Sequence, residues 1–210
     1  MSGTARTRTI ARAAVRADIS QAAFELTRQR GFHNITVDDM AAAAGVSRST
    51  LLRYFGSKEE AVLSAFDVHA VRFAAALRAR PAAEDEWTAL RRAMEGVVEY
   101  YLDDPAGALA ISQLIFDTPA LFGRQLEKTH SWRPTLTAAL AARAGLTGPI
   151  PLALEVKAAA ALDCLNIAVE RWAAADGKLD LEELLDEGFD VLSSMHDTTT
   201  PTHGEAPRTR

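Results

Sequence analysis

The sequence predicts an all-α protein of about nine helices, and three observations carry that prediction. Apolar residues recur at the 3.6-residue period of a helix along most of the chain, and no segment alternates apolar and polar residues as a half-buried strand does. Clusters of Gly, Pro, Asp and Thr separate the periodic segments. With 210 residues, of which 48% are hydrophobic and 24% charged, the chain is long enough to bury a core.

The N-terminal part is expected to contain a basic tail and then two helices. Residues 1–11 are predicted to be flexible, and a first helix is predicted over about 12–30, with Gly31 just past its end. Thr36 is suited to cap a second, short helix, because Asp39 follows three residues later and completes an acidic capping box. The apolar set of that helix has the spacing i, i+3, i+4, i+7, at Val37, Met40, Ala41 and Ala44.

The segment Gly45-Val46-Ser47 predicts a tight turn into a third helix. Its glycine permits the turn, its valine is expected to face inward, and its serine can cap a helix over residues 48–55. On that helix Leu51 and Phe55 lie four residues apart and are expected to face the second helix. Two short capped helices joined in this way predict a helix-turn-helix, within a domain of residues 12–58.

The rest of the chain is predicted to form a larger helical domain over residues 59–196. A fourth helix is expected to be capped by Ser57 and to end near Pro81. Breakers such as Asp117-Thr118-Pro119 divide the remainder of this domain into five more helices, near 84–102, 105–116, 119–144, 150–175 and 179–195. Residues 197–210 are rich in Thr and Pro and are predicted to be a disordered tail.

Charge is distributed unevenly along the chain. Residues 1–58 contain nine Lys and Arg against four Asp and Glu, a formal charge of +5, whereas the rest carries −10, for a net charge of −5. A basic head on an acidic body is expected where one end of a protein meets phosphate and the other does not.

Several classes of protein are disfavoured. No apolar run reaches the length of a membrane helix, and the N-terminus lacks the apolar core of a secretory signal. The single cysteine, Cys164, cannot form an internal disulfide or a zinc site, which favours a reducing cytoplasm. The five histidines are not at metal-ligand spacing, and neither a phosphate-binding glycine loop nor a nucleophile elbow is present. We therefore expect no metal, no cofactor and no catalysis.

The outward face of the third helix has the chemistry that DNA binding requires. Arg48 can read guanine through two hydrogen bonds, Leu52 can contact a thymine methyl group, and nearby hydroxyl, phenol and ammonium groups suit phosphate oxygens. The predicted DNA-binding residues are Thr36, Ser47, Arg48, Ser49, Thr50, Leu52, Arg53, Tyr54 and Lys58. The N-terminal arginines Arg6, Arg8 and Arg12 could contact the minor groove of DNA, or they could only keep the tail solvated. The sequence leaves both possibilities open. The alternative is that this face of the third helix is only a solvated polar surface. That interpretation does not explain the turn, the two helix caps or the local positive charge.

These residues also carry a family resemblance. The matching pieces are Ala22-Ala23 with Glu25-Leu26, Arg30-Gly31-Phe32, Thr36-Val37, Met40-Ala41, Ala44-Gly45-Val46-Ser47, Thr50-Leu51, Tyr54-Phe55 and Ser57-Lys58-Glu59. Through them residues 19–63 resemble the DNA-binding region of the TetR family of transcription regulators. The resemblance implies about nine helices, a homodimer and a C-terminal ligand-binding domain, and the C-terminal part looks like a type common in actinobacterial members.

Three positions depart from the family pattern. Ser49 stands where the family usually has Gly or another small residue, Leu52 where it usually has Tyr, and Asp38 where a basic residue is frequent. The lost phenol and the added carboxylate change the chemistry of the DNA-facing surface. The operator sequence of this protein therefore cannot be inferred from those of other family members.

Candidate ligand contacts in the C-terminal domain are polar or aromatic residues within apolar helices. They are Tyr100, Tyr101, Gln113, Phe116, Phe122, His130, Trp132, Asp163 and Asn166, together with Cys164. Taken singly, each is more often a core or surface residue than a ligand contact. Their aromatic weight suggests an apolar or amphipathic small molecule.

An apolar stripe on the last helix favours dimerisation, and the family resemblance implies a four-helix bundle formed with a second copy. The stripe consists of Leu181, Leu184, Leu185, Gly188, Phe189 and Leu192, with the glycine allowing close approach. The alternative is that this stripe packs only within its own subunit.

The sequence thus predicts a cytoplasmic, ligand-responsive transcriptional regulator with no membrane association. The expected form is a homodimeric repressor that binds a palindromic double-stranded operator and is released by a small effector. An activator or ligand-independent regulator on the same fold is one alternative, and a helical small-molecule carrier is another.

Overall fold

The protein is described by a computed structural model that covers residues 3–197, with side chains from 7 to 194. These residues form helices and connecting loops without any strand, which confirms the all-α prediction. Seven helices are continuous: α1 Gly3–Arg30, α2 Val37–Ala43, α3 Arg48–Phe55, α6 Pro105–Asp117, α7 Pro119–Arg143, α8 Leu152–Ala174 and α9 Leu181–Asp197. Two are segmented: α4 comprises Lys58–Leu63, a 3₁₀ turn at Ser64–Phe66 and Asp67–Ala79, and α5 comprises Glu86–Ala93 and Glu95–Asp103.

The first helix begins well before its predicted start. It runs from Gly3, so residues 3–11 are helical where a flexible tail was expected. Residues 4–11 include Ala and Arg, which favour helix, and contain no Pro, so nothing local ends the helix before residue 12. Arg8 and Arg12 therefore lie on a helix. Of the predicted disordered tail, all but Asp197 lies outside the described residues.

The predicted caps and turn are present in the head. Thr36 Oγ1 accepts a hydrogen bond from the Asp39 amide at 3.1 Å, and the Thr36 amide donates to the Asp39 carboxylate at 2.7 Å. Ser47 Oγ accepts from the Thr50 amide at 3.2 Å. Between the two caps, Gly45 has a φ of +67°, a conformation that a side chain would strain. The helix-turn-helix prediction for these residues is confirmed.

The head and the larger domain share one helix. The first segment of α4 packs against α1 and α3, and its second segment packs against α7, which also contacts α6 and α8. Phe73 and Leu77 of α4 are buried among these helices, as are Leu136 and Leu140 of α7. Helix α4 is therefore in contact with both the head and α7.

The most buried residues of the apolar stripe of α9 pack inside their own subunit, and the dimerisation role of the stripe stays a prediction. Leu185 and Phe189 are 0% and 3% exposed, and Leu181 is also buried, because α9 covers α8 and the first segment of α5. Leu184 and Leu192 are half-buried against the same core. The glycine allows a close approach, but the approaching group is Cys164 of α8: a Cβ on Gly188 would lie 3.2 Å from its Sγ. Helical periodicity indicated that this face is buried, but it carries no information on which surface buries it.

Among residues 3–197, no single helix is long and apolar enough to cross a membrane. Helices α6 and α7 meet the length and composition test only when taken together, and they are bent by 104° at the break between them.

Candidate nucleic-acid interface and interior cavity

The third helix presents one face to the core of the head and the opposite face to solvent. Leu51 and Phe55 are 0% and 7% exposed and pack in the head core, as predicted. Arg48, Ser49 and Arg53 are exposed. Because the helix is short, capped and anchored by two buried side chains, its outward residues are held in a fixed arrangement.

Hydroxyl groups cluster where α3 begins. Ser47 Oγ lies 3.0 Å from Ser49 Oγ and 3.0 Å from Thr50 Oγ1, in addition to its capping bond. Thr36, at the start of α2, is exposed and uses its hydroxyl within the capping box. Its two hydrogen bonds to the Asp39 carboxylate, from the hydroxyl and the amide, lower the pKa of Asp39. These hydroxyls and helix-start amides form the polar edge of the outward face.

Arg48 is paired with a carboxylate in the absence of DNA. Its Nη1 lies 3.0 Å from Asp38 Oδ2, and both side chains are more than half exposed. Asp38 is the residue that stands where the TetR resemblance has a frequent basic residue. The pair joins α2 to the first residue of α3 on the outward surface.

Tyr54 and Leu52 are half-buried at the edge of this surface. The guanidinium of Arg12, on α1, lies 5.7 Å from the centre of the Tyr54 ring. The helical N-terminus thus brings a cation beside the phenol, an arrangement that the predicted flexible tail did not include.

Lys58, which the sequence predicts to contact phosphate, is bound to backbone carbonyls of the protein itself. Its ammonium donates to the carbonyl oxygens of Phe32 and, at 2.5 Å, Ile35, and it lies 4.0 Å from the centre of the Phe32 ring. Burial lowers its pKa, although Glu59 and Asp39 oppose that shift. The reason is tertiary: the fold places the start of α4 beside the loop before α2, and Lys58 binds two carbonyls of that loop. Lys58 therefore ties the loop before α2 to α4.

A cluster of charges with the buried Glu60 and Lys128 at its centre connects α1, α4 and α7 behind the head. Glu60 lies 2.7 Å from Arg16 of α1, and 2.8 and 3.4 Å from Arg124 and Lys128 of α7. Lys128 also lies 2.7 Å from Asp67, on the second segment of α4. Burial alone would raise the pKa of Glu60, but Lys128, the Ser64 hydroxyl and Arg124 outweigh it and lower the pKa. Glu60 therefore remains ionised and links the head to α7.

The larger domain contains a cavity between α4, α5, α6, α7 and α8. The centre of a water-sized sphere can move within about 50 Å³ of it, and the space between the surrounding protein atoms, including open solvent at the mouth, is about 610 Å³. Five of the predicted ligand residues line it: Tyr100, Tyr101, Phe116, Trp132 and Asn166. The Tyr100 ring packs edge to face with Tyr101, at 5.3 Å between centroids, and also with Phe66 and His69.

Four predicted ligand residues lie elsewhere. Gln113 donates at 3.2 Å to the Ala173 carbonyl and the Asp176 carboxylate, so it fastens α6 to the end of α8. Phe122 packs behind Phe116, with 5.8 Å between ring centroids. His130 and Asp163 are exposed on the far sides of α7 and α8 and border a shallow depression on the surface. A residue's type does not reveal which side of its helix faces the cavity.

Sequence reasoning missed other lining residues, of which the most informative are Phe66, His69, Ser112 and Gln125. Spacing offered a signal for His69, because it follows Phe66 by three residues on an apolar helix face. Burial, and to a lesser extent Arg72, lowers its pKa to about 4, so the imidazole is neutral at pH 7. Within the described part of the chain, no group of three or more His, Cys, Asp or Glu is placed to hold a metal ion.

A rigid helix-turn-helix joined to a helical body with an interior cavity is the architecture of a DNA-binding transcription regulator. Residues 19–65 match the family model described as bacterial regulatory proteins of the TetR family, and residues 84–197 match the model described as the MftR C-terminal domain. The second match alone covers more than half of the chain. The chain belongs to the TetR family of transcription regulators, which confirms the resemblance found in its sequence.

Relatives with curated names are also transcriptional regulators rather than enzymes. The chain is 29% identical over 178 residues to MftR of Mycobacterium tuberculosis, a regulator named for mycofactocin biosynthesis, and the match covers 84% of this chain and 88% of that protein. It is 32% identical over 130 residues to the regulator TcmR of Streptomyces glaucescens, a match that covers 59% of this chain and only 58% of that protein.

Solved structures show the same fold. FadR of Thermus thermophilus, a repressor crystallised with lauroyl-CoA, aligns with a TM-score of 0.59 at 23% identity and covers 92% of this chain and 100% of its own. FadR of Bacillus subtilis with stearoyl-CoA aligns with a TM-score of 0.53 at 21% identity, over 84% of this chain and 97% of its own.

Proposed function

We propose that this protein is a homodimeric repressor that binds a palindromic operator and leaves it when a small molecule enters the cavity. The observation that carries the proposal is the rigid outward face of α3, on a head that the Glu60 cluster ties to a cavity-bearing domain. Two such heads must lie about 34–36 Å apart to enter successive major grooves. A cytoplasmic location follows from the operator as partner.

In this proposal the nine predicted DNA contacts have unequal roles. Arg48 exchanges its bond to Asp38 for the edge of a guanine, and Leu52 meets a thymine methyl group. Arg53, Tyr54 and the hydroxyls at Thr36, Ser47, Ser49 and Thr50 meet phosphate and sugar. Lys58 supports this surface from behind by fixing the loop before α2.

A different surface from the predicted stripe supports the homodimer. Leu152, Val156 and Ile167 of α8 are 73%, 56% and 56% exposed, and their spacing of 4 and 11 residues places them on one face of the helix. Val191, on the neighbouring α9, is 56% exposed. Single exposed apolar residues are ordinary, but a row of them along one helix indicates a contact surface. We propose that α8 and the exposed edge of α9 meet their copies there.

Release by a ligand is supported by the position of α7. Gln125 of α7 lines the cavity, while its neighbours Arg124 and Lys128 hold Glu60 of α4. A ligand that prefers a shifted α7 therefore also prefers a shifted head, and so lowers operator affinity. Two regulators of the same fold carry acyl-CoA ligands, which supports small-molecule control without naming the effector of this chain.

The test is capture of genomic fragments by the purified full chain, followed by binding titrations on the enriched sequence. We expect a palindrome with half-sites about one helical turn apart. Arg48→Ala should cost about 1–3 kcal/mol and relax the preference at one base position. Arg92→Ala, which removes an equally exposed arginine from α5, is the control and should bind as the parent does. An Arg48→Ala variant with unchanged affinity and specificity would show that α3 does not read the bases.

Two assays distinguish the proposed repressor from the alternatives, an activator and a small-molecule carrier. A reporter fused to the captured operator, measured with and without the gene, distinguishes repression from activation. A small-molecule carrier would lack the steep salt dependence of duplex binding, in which log K falls by about 0.9 for each phosphate contacted as log salt rises.

A further inference from the structure

The cavity has a lining of distinctive chemistry. Five aromatic rings border it, those of Phe66, Tyr100, Tyr101, Phe116 and Trp132. Aromatic rings prefer edge-to-face or offset contacts with other rings, and such contacts stabilise a complex beyond the area that they bury. The walls are therefore suited to a ligand that is itself flat and aromatic.

Charged side chains do not take part in that lining. Among the residues described around the cavity, not one is Asp, Glu, Lys or Arg. The single titratable base, His69, is held neutral by burial. A charged ligand group placed there would lose its hydration without gaining an opposite charge, which is strongly unfavourable.

Three polar atoms of the lining residues have no hydrogen-bond partner among the described residues, although they are buried. They are His69 Nδ1, Gln125 Oε1 and Trp132 Nε1. The indole N–H can only donate, and the amide oxygen can only accept. Buried polar groups in folded proteins are paired almost without exception, so an acceptor and a donor are required here.

We infer that the cavity binds an uncharged, flat aromatic molecule that carries both a hydrogen-bond acceptor, for the Trp132 indole, and a donor, for the Gln125 amide oxygen. The inference rests on the proposed function in taking this cavity as the effector site. It excludes a fatty carboxylate, whose anionic group finds no counter-charge among the lining residues, and the acyl chain of an acyl-CoA, which has neither an aromatic ring nor a hydrogen-bond donor.

The experiment is isothermal titration calorimetry on the full chain with four probes. 2-Naphthamide is neutral and carries both polar functions, naphthalene carries neither, 2-naphthoate is charged, and lauroyl-CoA is an anionic aliphatic ligand. We expect 2-naphthamide to bind at least about tenfold more tightly than each of the others, since lost hydrogen bonds or a buried charge cost that much or more. Equal or tighter binding of 2-naphthoate or lauroyl-CoA would overturn the inference, and so would heat from none of the probes, as a cavity holding only water gives.

A matched pair of variants locates the site. Trp132→Phe removes the indole donor of the cavity, and Trp87→Phe removes another buried indole N–H that lacks a partner but does not line the cavity. The preference for 2-naphthamide over naphthalene should fall about tenfold in Trp132→Phe and persist in Trp87→Phe, with thermal melting curves showing that both variants fold. Equal effects of the two substitutions would contradict the assignment.

Operator binding is measured separately, so the two proposals can fail independently. If 2-naphthamide binds as expected while the operator complex is unaffected at saturation, the ligand class stands and release by this cavity is wrong. If operator release is seen with an anionic ligand alone, release stands and the ligand class is wrong.

Discussion

The ion pair between Arg48 and Asp38 decides how the recognition surface behaves before DNA arrives. The two groups are 3.0 Å apart and exposed, so water and salt weaken their attraction. In the proposed binding mode, the guanidinium leaves the carboxylate for a base, and the carboxylate stays near the phosphates. Asp38 would then oppose binding to every sequence, and only a good base partner for Arg48 would offset its effect.

Asp38→Asn should raise affinity for unrelated duplexes by up to about fivefold, which corresponds to about 1 kcal/mol for an exposed pair. The affinity for the captured operator should rise less, so specificity should fall. Fluorescence anisotropy with operator and scrambled duplexes at fixed salt measures both. Glu95→Gln, which removes a carboxylate of similar exposure in α5, should change neither. Weaker binding by Asp38→Asn would mean instead that the carboxylate positions Arg48.

His69 makes stability depend on pH in a definite direction. The folded-state pKa is about 4 because of burial, whereas the unfolded chain has the ordinary value of 6.5. Between these values the unfolded state binds more protons, so stability is full above pH 6.5 and falls as the pH drops toward 4. From this group alone, the free energy of unfolding should be about 2 kcal/mol lower at pH 5 than at pH 7.

Denaturant unfolding at pH 7 and pH 5 checks this prediction, with His69→Gln as the test variant. The variant should lose most of the difference between the two pH values, whereas His130→Gln, at an exposed site, should keep it. If His69→Gln keeps the full difference in unfolding free energy between pH 7 and pH 5, groups other than His69 cause the acid sensitivity.

At the level of elements, the features that could be predicted from the sequence are those that depend on short-range interactions, namely helix caps, turns and helix boundaries. Thr36 with Asp39 and Ser47 with Thr50 are contacts over three residues, and Gly45 acts through its own backbone, so caps and turn could be found without tertiary information. The helices of the larger domain begin and end within about two residues of expectation, because Pro, Gly and Asp mark their ends.

Packing partners were beyond the reach of the sequence. The α9 stripe was correctly predicted to be apolar, but the pattern did not show that Leu185 and Phe189 pack against α8 and α5 of their own chain. Lys58 was correctly placed on α4, but its partners are carbonyls more than 20 residues away, at Phe32 and Ile35. In each case the residue type indicates what a group needs, and only the assembled fold shows which group supplies it.

The link between α7 and α4 can be tested by neutralising one of its cations. Lys128→Met removes two ion pairs of a buried lysine, while Glu60 keeps Arg16 and Arg124, so we expect a loss of about 1–3 kcal/mol in unfolding free energy. Amide exchange should become faster over residues 57–67, where α4 loses its anchor to α7. Hydrogen–deuterium exchange on the intact chain measures it.

Lys157→Met is the control, because that lysine pairs with Glu86 between α8 and α5, away from the head. It should leave exchange over residues 57–67 unchanged. Identical exchange there in Lys128→Met and the parent protein would show that the cluster does not hold α4.

On the scale of the whole molecule, charge and apolar surface are separated. The first 58 positions carry a net charge of +5 and the remaining positions −10, and the exposed apolar row of α8 belongs to the acidic part. A dimer formed through that row would leave both heads free for phosphate and keep the acidic bodies away from it. In the proposed dimer, tight operator binding would depend on dimerisation, because two weakly binding heads act together only when joined.

Ile167→Glu should therefore produce a folded monomer, since a carboxylate in the contact surface would be buried without a partner. Its operator affinity should fall about 10²–10⁴-fold with the loss of the second head. Leu102→Glu places the same charge at an equally exposed site on α5 and should remain dimeric.

Leu185→Ala tests whether the α9 stripe belongs to the subunit core rather than to the dimer interface. It opens a cavity in the core and should cost about 2–5 kcal/mol of stability. Sedimentation equilibrium measures the oligomeric state of each variant, and denaturant unfolding measures its stability. If Ile167→Glu stays dimeric while Leu185→Ala is well folded and monomeric, the dimer interface is the α9 stripe and not the α8 row.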